Sequence, residues 1–222
     1  VIRLRTVHHR GVTEKKPQFK LKHEGPAKLN WGETDELVFV RSGDLQCTVN
    51  KQSGEVTFLH DEKVITRSSG RDIAYVKKDY TGEFYDRAEP GTSFMRQQLD
   101  LGVGELIYGM GEQFTPFVKN GQSVYIWNED GGTSTDQSYK NIPFYLSTAG
   151  YGLLVNSTDR VEYEIATENV SKVAFSVPGE ELDIYFILGP TPKEVLARYT
   201  SLSGKPALPP AWSYGLWLST SF

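Results

Sequence analysis

The sequence predicts a mainly β domain, a sandwich in which two sheets pack face to face. Its 222 residues include 12 Tyr, 11 Phe and 4 Trp together with 21 Gly and 11 Pro. Aromatic residues favour strands, whereas Gly and Pro favour the turns that join them. The apolar runs are short, as strands require, and a chain of this length can bury a sizeable core.

A hairpin is the clearest local element. Leu45, Cys47 and Val49 alternate with polar residues, and a turn through Gly54 leads into a second apolar run at 56–59. Because short strands each need a second sheet over their apolar face, the spacing predicts a sandwich. Residue 1 lies inside a strand-like run, and further strands are predicted at 36–40, 73–76, 106–108, 124–127, 144–147, 152–156, 161–165, 172–177 and 182–188.

The pattern changes after residue 188. Thr191, Pro192 and Glu194 form a helix start with a capping box, and Gly204 ends the helix. A Pro-rich stretch then predicts a stiff connector, followed by an apolar, strand-like run at 212–218. The predicted organisation is a β-sandwich domain incomplete at its start (1–188), a linker helix with its connector (189–210) and a strand (211–222). Such a strand needs partners, so we expect a fragment cut at both ends.

Composition excludes several classes of function. The 24 basic and 28 acidic residues leave a net charge of −4, which argues against a nucleic-acid partner. No uncharged apolar run approaches the roughly 18 to 20 residues of a membrane span, so no membrane partner is expected. The single cysteine excludes an intrachain disulfide and fits a cytoplasmic protein, whereas glycosylation triplets at Asn156 and Asn169 allow a secreted one. The compartment and homo-oligomerisation stay open.

No metal or cofactor site is predicted. His8 and His9 are adjacent, and neighbours on a strand point to opposite faces, so they could not both face one ion. The glycines at 102–104 and 109–111 lack the spacing of a dinucleotide fingerprint. Neither a nucleophile elbow nor a phosphate-binding Walker loop is present.

The unusual segment is the loop that begins at Trp127 and continues through Asn128, Glu129 and Asp130 into two glycines. Carboxylates, amides and aromatic rings on a loop are the groups that bind sugars, although on composition alone a polar surface loop is the favoured interpretation. Glycoside hydrolysis needs two carboxylates that flank a bond, about 5 to 10 Å apart. Because Glu129 and Asp130 are sequence neighbours, they are not predicted to be the catalytic pair.

Five blocks of sequence occur in order along the second half of the chain: GMGEQF (109–114), WNEDGGT (127–133), YKNIPFY (139–145), GPTP (189–192) and PPAWSYGLWL (209–218). Together they resemble glycoside hydrolase family 31, and most closely its α-xylosidase branch. The similarity runs from about Leu99 to Phe222, whereas residues 1–98 match loosely.

The resemblance implies an architecture and a mechanism. It implies a galactose-mutarotase-like β-sandwich, a linker helix and then the first strand of a (β/α)8 barrel whose remainder is absent. Family members cleave α-glycosidic bonds with retention through two aspartates on later barrel strands. No catalytic residue is therefore expected in this chain, and the isolated fragment should be inactive. Its partners would be an α-xyloside oligosaccharide and the rest of its own polypeptide.

The resemblance also implies substrate-binding residues. Asp130 matches a position that contacts sugar hydroxyls, and Trp127 and Asn128 are weaker candidates beside it. Phe222, at the C-terminal end of the first barrel strand, would line the sugar subsite. Family members that act on α-glucosides usually carry Arg, an aromatic residue and Gly at this strand end. The Ser-Thr-Ser-Phe ending here resembles the xylosidase pattern, since a ring at Phe222 could fill the space of the glucose hydroxymethyl group.

The predicted function is thus the N-terminal part of a retaining α-xylosidase that acts on terminal α-xylosidic bonds of xyloglucan-type oligosaccharides. An α-glucosidase or a transferring enzyme of the same family is the alternative within the enzyme class. A non-catalytic carbohydrate-binding sandwich would instead bind sugar without turnover. A purely structural interaction domain would show no affinity for sugar.

Overall fold

The computed structural model describes residues 1–9, 11, 17–22, 30–77, 93–129 and 138–218. Among these residues, no helix has the length and apolar character needed to cross a membrane. The strands are β1 (Ile2–Val7), β2 (Asn30–Glu33), β3 (Leu37–Ser42), β4 (Leu45–Asn50), β5 (Val56–His60), β6 (Lys63–Ser68), β7 (Ile73–Lys77), β8 (Ser93–Asp100), β9 (Ile107–Gly111), β10 (Gln122–Ile126), β11 (Asn141–Ser147), β12 (Tyr151–Val155), β13 (Val161–Ile165), β14 (Lys172–Pro178) and β15 (Glu181–Leu188). One α-helix, α1 (Pro192–Ser203), follows them, and 3-10 turns occur at Gly70–Asp72 and Ala211–Tyr214.

Within the described residues, the strands form three antiparallel sheets of five. Sheet I has the order β1-β15-β12-β11-β9, sheet II the order β10-β13-β14-β8-β7, and sheet III the order β2-β3-β4-β5-β6. Sheet III is a simple meander that contains the predicted β4–β5 hairpin, with Cys47 opposite Phe58. The mainly β prediction and the predicted strands from 36–40 to 182–188 are confirmed, with boundaries shifted by up to three residues.

One apolar core joins the three sheets. The inner faces of sheets I and II meet where the rings of Tyr145 and Tyr163 pack edge to face, with centroids 6.0 Å apart. Sheet III packs on sheet I through Phe58, whose ring stacks on Phe186 at 4.0 Å. Burial raises the pKa of Cys47, a sheet III residue in this core, to about 12, so its thiol stays protonated.

The other face of sheet I is covered by α1 at Tyr185 and Ile187 of β15. Glu181 and Asp183, on the same face of this fully buried strand, lie under Arg5 and Arg3 instead. The helix begins with the predicted capping box. The Thr191 hydroxyl accepts a hydrogen bond from the Glu194 N–H, and the Glu194 carboxylate accepts one from the Thr191 N–H. Val195 and Tyr199 then pack against the sheet, with the Tyr199 ring stacked on Phe144 at 4.0 Å.

The C-terminal segment differs from the predicted strand. Ala211–Tyr214 is a 3-10 turn and residues 215–218 are not a strand, while residues 219–222 lie outside the described part. A strand is stable only when a neighbour completes its hydrogen-bond ladder. In the described part of this chain no strand pairs with the segment, so its apolar pattern alone does not produce a strand.

Strands β2, β6 and β8 were not predicted. In β8, the inward positions are Met95, Gln97 and Leu99. The fully buried Gln97 interrupts the apolar alternation that identifies a strand. Pairing along β14, from Phe94 opposite Pro178 to Asp100 opposite Lys172, places this segment in sheet II regardless.

Candidate functional site

The predicted sugar-binding loop joins sheet II to sheet I, because it leaves β10 and enters β11. Trp127 follows directly after β10, and 47% of its surface is exposed. Asn128 forms an isolated bridge with Ser138 on the returning side of the loop. Asp130 and Phe222, the other two predicted binding residues, lie outside the described residues.

Asn141, the first residue of β11, holds the two ends of this loop together. Its side-chain N–H group donates to the backbone carbonyls of Trp127 at 2.8 Å and Ser138 at 2.9 Å. Its backbone N–H donates to the side-chain oxygen of Asn128 at 2.8 Å. Its side-chain oxygen accepts from the Ser138 hydroxyl at 3.2 Å and from the Gln113 amide. One side chain thus joins the two described ends of the loop, at Trp127 and Ser138, to Gln113 in the segment after β9.

The glycines at the end of β9 allow this strand to pass close to the backbone of Lys140, the residue before β11. Gly109, Met110 and Gly111 have φ values of 108°, 70° and 89°, a left-handed conformation that favours glycine. A Cβ atom on Gly111 would lie 2.1 Å from the carbonyl oxygen of Lys140. The Glu112 N–H donates to that same carbonyl at 2.8 Å, which fixes β9 against the start of β11. Glycine at position 111 therefore allows the end of β9 to lie against the residue that precedes β11.

Trp127, Asn128 and Asn141 open onto a cleft of about 380 Å³. The lining combines aromatic and apolar groups with hydroxyls and a carboxylate, a combination suited to a sugar. The full lining comprises Phe19, Ile126, Trp127, Asn128, Asn141, Pro143, Ser157, Thr158 and Asp159.

Tyr163 of sheet II, a buried core residue, contacts the wall of the cleft at Pro143. Its hydroxyl donates to the carbonyl of Pro143 at 2.9 Å. Burial raises the pKa of Tyr163 well above its ordinary value, so the hydroxyl stays protonated and keeps this hydrogen bond. The position of Pro143 in the cleft wall is thereby fixed by the core.

Sequence reasoning missed the wall formed by Ser157, Thr158 and Asp159. The triplet that starts at Asn156 suggested glycosylation, yet Asn156 is 4% exposed and its side chain donates to Asp183 at 2.8 Å. Its carbonyl oxygen accepts from the Phe19 N–H at 3.1 Å, which brings Phe19 to the cleft. A polar run directly after a buried strand was the signal that could have identified this wall. The other triplet residue, Asn169, is exposed in the turn between β13 and β14.

Comparisons with known proteins agree with this architecture. Residues 1–164 match the family model described as the glycosyl hydrolase 31 N-terminal galactose mutarotase-like domain. The chain belongs to glycoside hydrolase family 31. The match begins at residue 1, so the similarity extends across the first 98 residues, which the sequence motifs alone matched loosely.

Two curated relatives cover nearly the whole chain. The α-xylosidase XylQ of Lactiplantibacillus pentosus is 45% identical over 97% of this chain, and an α-xylosidase of Emericella nidulans is 44% identical over 100%. The chain spans 27% and 30% of the length of these relatives. Among solved structures, a family 31 dextranase of Flavobacterium johnsoniae complexed with glucose superposes with a TM-score of 0.70 and 24% identity, over 84% of this chain and 22% of the dextranase. That likeness concerns the fold.

Proposed function

We propose that the full-length protein carrying this chain is a retaining α-xylosidase that releases xylose from the non-reducing ends of xyloglucan-type oligosaccharides. One observation carries this proposal: two relatives that are 45% and 44% identical over 97% and 100% of the chain are both α-xylosidases. Within that enzyme, the chain is the β-sandwich that precedes the catalytic barrel, and it contributes substrate contacts while later segments contribute the catalytic aspartates.

The loop after β10 supports a binding role for this domain. The exposed ring of Trp127 can lie against the apolar face of a sugar, and the cleft beside it carries Asp159 and two hydroxyl groups. Asp130 follows three residues after Trp127, and we assign it to sugar hydroxyls in the aglycone direction. Phe222 is assigned to the xylose subsite, where its ring fills the space of the hydroxymethyl group that xylose lacks.

The exposed C-terminal segment supports a partner within the same polypeptide. Trp212 and Trp217 are 76% and 71% exposed, and Leu208, Leu216 and Leu218 are also highly exposed. Apolar patches of this kind mark interaction surfaces. Because the chain spans less than a third of its relatives, we assign this surface to the catalytic barrel, with residues 211–222 as its first strand.

Kinetics of the full-length protein on p-nitrophenyl α-xyloside and α-glucoside test the proposal. We expect kcat/KM to favour the xyloside by about 10- to 200-fold, the discrimination that one small group achieves in an apolar pocket. Phe222→Ala should reduce that ratio, whereas Trp31→Ala, which removes an exposed ring from sheet III, should leave it unchanged. A preference for the glucoside would identify an α-glucosidase instead. Xyloside turnover by the isolated 222-residue chain would contradict the assignment of catalysis to other segments.

A further inference from the structure

The end of β1 brings two histidines to one carboxylate. The strand stops at Val7, which pairs with Glu181, and the next backbone N–H, that of His8, donates to the carbonyl of Glu180 at 2.9 Å. Both imidazoles then turn toward the Glu180 side chain. The Nδ1 atom of His8 lies 3.6 Å from one carboxylate oxygen, and Nδ1 of His9 lies 3.9 Å from the other.

These distances suit a shared ion better than direct hydrogen bonds. At 3.6 and 3.9 Å the nitrogen–oxygen pairs are too far apart for hydrogen bonds. Zinc binds imidazole nitrogen and carboxylate oxygen at about 2.0 to 2.2 Å, so two ligands of a tetrahedral ion lie roughly 3.4 Å apart. One ligand atom from each of His8, His9 and Glu180 lies within 4.8 Å of the other two. Small rotations of these side chains would therefore bring all three to one ion.

The surrounding structure holds the three groups in place while leaving them open to solvent. The His8 ring stacks on Tyr75 of sheet II with centroids 3.8 Å apart and an interplanar angle of 13°. Glu180 lies in the turn between β14 and β15, next to Gly179 with a φ of 102°. The side chains of His8, His9 and Glu180 are 39%, 55% and 36% exposed. An ion there could be reached from solvent and could complete its coordination with water.

We propose that His8, His9 and Glu180 bind one divalent transition-metal ion of the zinc type. Two neutral imidazoles and a carboxylate are a ligand set that zinc uses. The ion joins the end of β1, an edge strand of sheet I, to the β14–β15 turn and, through His8 and Tyr75, to sheet II. This reverses the expectation of no metal, whose premise was that both histidines continue a strand. The proposal does not depend on the xylosidase assignment.

Calorimetric titration of untagged, chelator-treated full-length protein with zinc chloride tests the site. We expect one ion per chain at this site, and a loss of affinity of about tenfold or more in His9→Ala and in Glu180→Gln. His8→Phe removes a ligand and keeps a ring for stacking on Tyr75, so it should lose affinity without unfolding. The matched control is His60→Ala, because His60 lies 3.5 Å from the Asp61 carboxylate but, among the described residues, belongs to no group of three potential metal ligands.

Hydrogen–deuterium exchange gives a second, independent readout. Zinc should slow exchange of the β1 amides (Ile2–Val7) in the unmodified protein and leave exchange unchanged in His9→Ala. Wild-type zinc affinity in His9→Ala, or an equal loss in His60→Ala, would overturn the proposal. Absence of zinc binding by the unmodified protein would overturn it as well.

Discussion

The side-chain oxygen of Asn128 accepts a hydrogen bond from the backbone N–H of Asn141 at 2.8 Å, and the side chain of Asn141 returns a hydrogen bond to the carbonyl of Trp127 at 2.8 Å. Each asparagine therefore holds the segment that carries the other. The side-chain amide oxygen of Asn128 accepts hydrogen bonds from Asn141, so Asn128 positions this end of the loop. Trp127, by contrast, presents an exposed ring at the cleft.

Replacing Asn141 should loosen the loop. Asn141→Ala removes the donors to the carbonyls of Trp127 and Ser138, and we expect the free energy of unfolding to fall by about 1 to 3 kcal/mol. In the full-length enzyme KM should rise, because Trp127 is no longer held. Urea denaturation and steady-state kinetics measure the two effects. Asn30→Ala, on the exposed edge of sheet III, is the control. A stability equal to that of this control would show that the hydrogen bonds from Asn141 to Trp127 and Ser138 do not stabilise the fold.

Removing the ring of Trp127 should weaken substrate binding without altering the fold. A stacked aromatic contact contributes about 0.5 to 1.5 kcal/mol, so Trp127→Ala should raise KM for an oligosaccharide by about 2- to 10-fold at nearly constant kcat. Kinetics on a xyloglucan oligosaccharide measure the change. Trp31→Ala, in sheet III, should leave KM unchanged. Equal effects of the two substitutions would exclude a specific contact at Trp127.

Alanine substitutions at Gly111 and Gly121 distinguish two contributions to stability: the steric cost of a Cβ atom close to another backbone segment, and the cost of a left-handed backbone conformation. Both have positive φ, at 89° and 81°, but a Cβ atom would meet the Lys140 carbonyl at Gly111 and no atom within 4 Å at Gly121. Gly121→Ala should therefore cost about 1 to 2 kcal/mol of stability, the cost of the conformation alone.

Gly111→Ala should cost at least about 2 kcal/mol more than that, because β9 must move away from β11. Chemical denaturation of the two variants measures the difference. Equal losses of stability would mean that backbone conformation, and not the approach to Lys140, requires glycine at this position.

A partly buried ion cluster predicts a specific acid sensitivity. The Lys172 ammonium lies 2.7 Å from carboxylate oxygens of both Asp72 and Asp100. Burial alone would raise the pKa of Asp72, but hydrogen bonds from Lys172 and Ser69 outweigh it and hold that pKa below the ordinary value of 3.8. Ionised Asp72 thus stabilises the fold above pH 3.8, and this contribution is lost as the pH falls through the folded-state pKa.

Asp72→Asn should therefore lower the free energy of unfolding by about 1 to 3 kcal/mol at pH 7. The difference from the unmodified protein should shrink as the pH falls below 3.8, the ordinary pKa of the group. Denaturation midpoints across this pH range measure it. The control is Asp61→Asn, whose carboxylate is 72% exposed. A difference that stays constant with pH would exclude ionisation of Asp72 as the cause.

Local patterns predicted the elements whose stabilising contacts are close in sequence. The β4–β5 hairpin and the start of α1 were predicted because period-two alternation and the capping box lie within a few residues. Strand β8 was missed because Gln97 breaks its pattern, and its place depends on pairing with β14, more than 70 residues away. The segment at 212–218 is the opposite case: its apolar pattern predicted a strand, but none forms because no neighbouring strand pairs with it in the described part of the chain.

The candidate site divides in the same way. The sequence predicted Trp127 and Asn128 as candidate binding residues, because aromatic and amide groups on a Gly-containing loop are typical of sugar binding, and both line the cleft. It could not identify Phe19 or Asp159. Phe19 reaches the cleft because its backbone N–H donates to Asn156. Asp159 lines the cleft because it follows the end of β12. It also placed the two adjacent histidines on opposite faces of a strand that in fact ends at Val7.

By itself the sequence determined the β class, the capped helix and the blocks that relate the chain to family 31, since each depends on residues that are neighbours along the chain. Only the tertiary structure decided that three sheets share one core, that Asn141 closes the loop, and that His8 and His9 face Glu180. These relationships join residues 13 to 172 positions apart. Sheet pairing and side-chain packing bring such residues together, and neither is encoded in a local pattern.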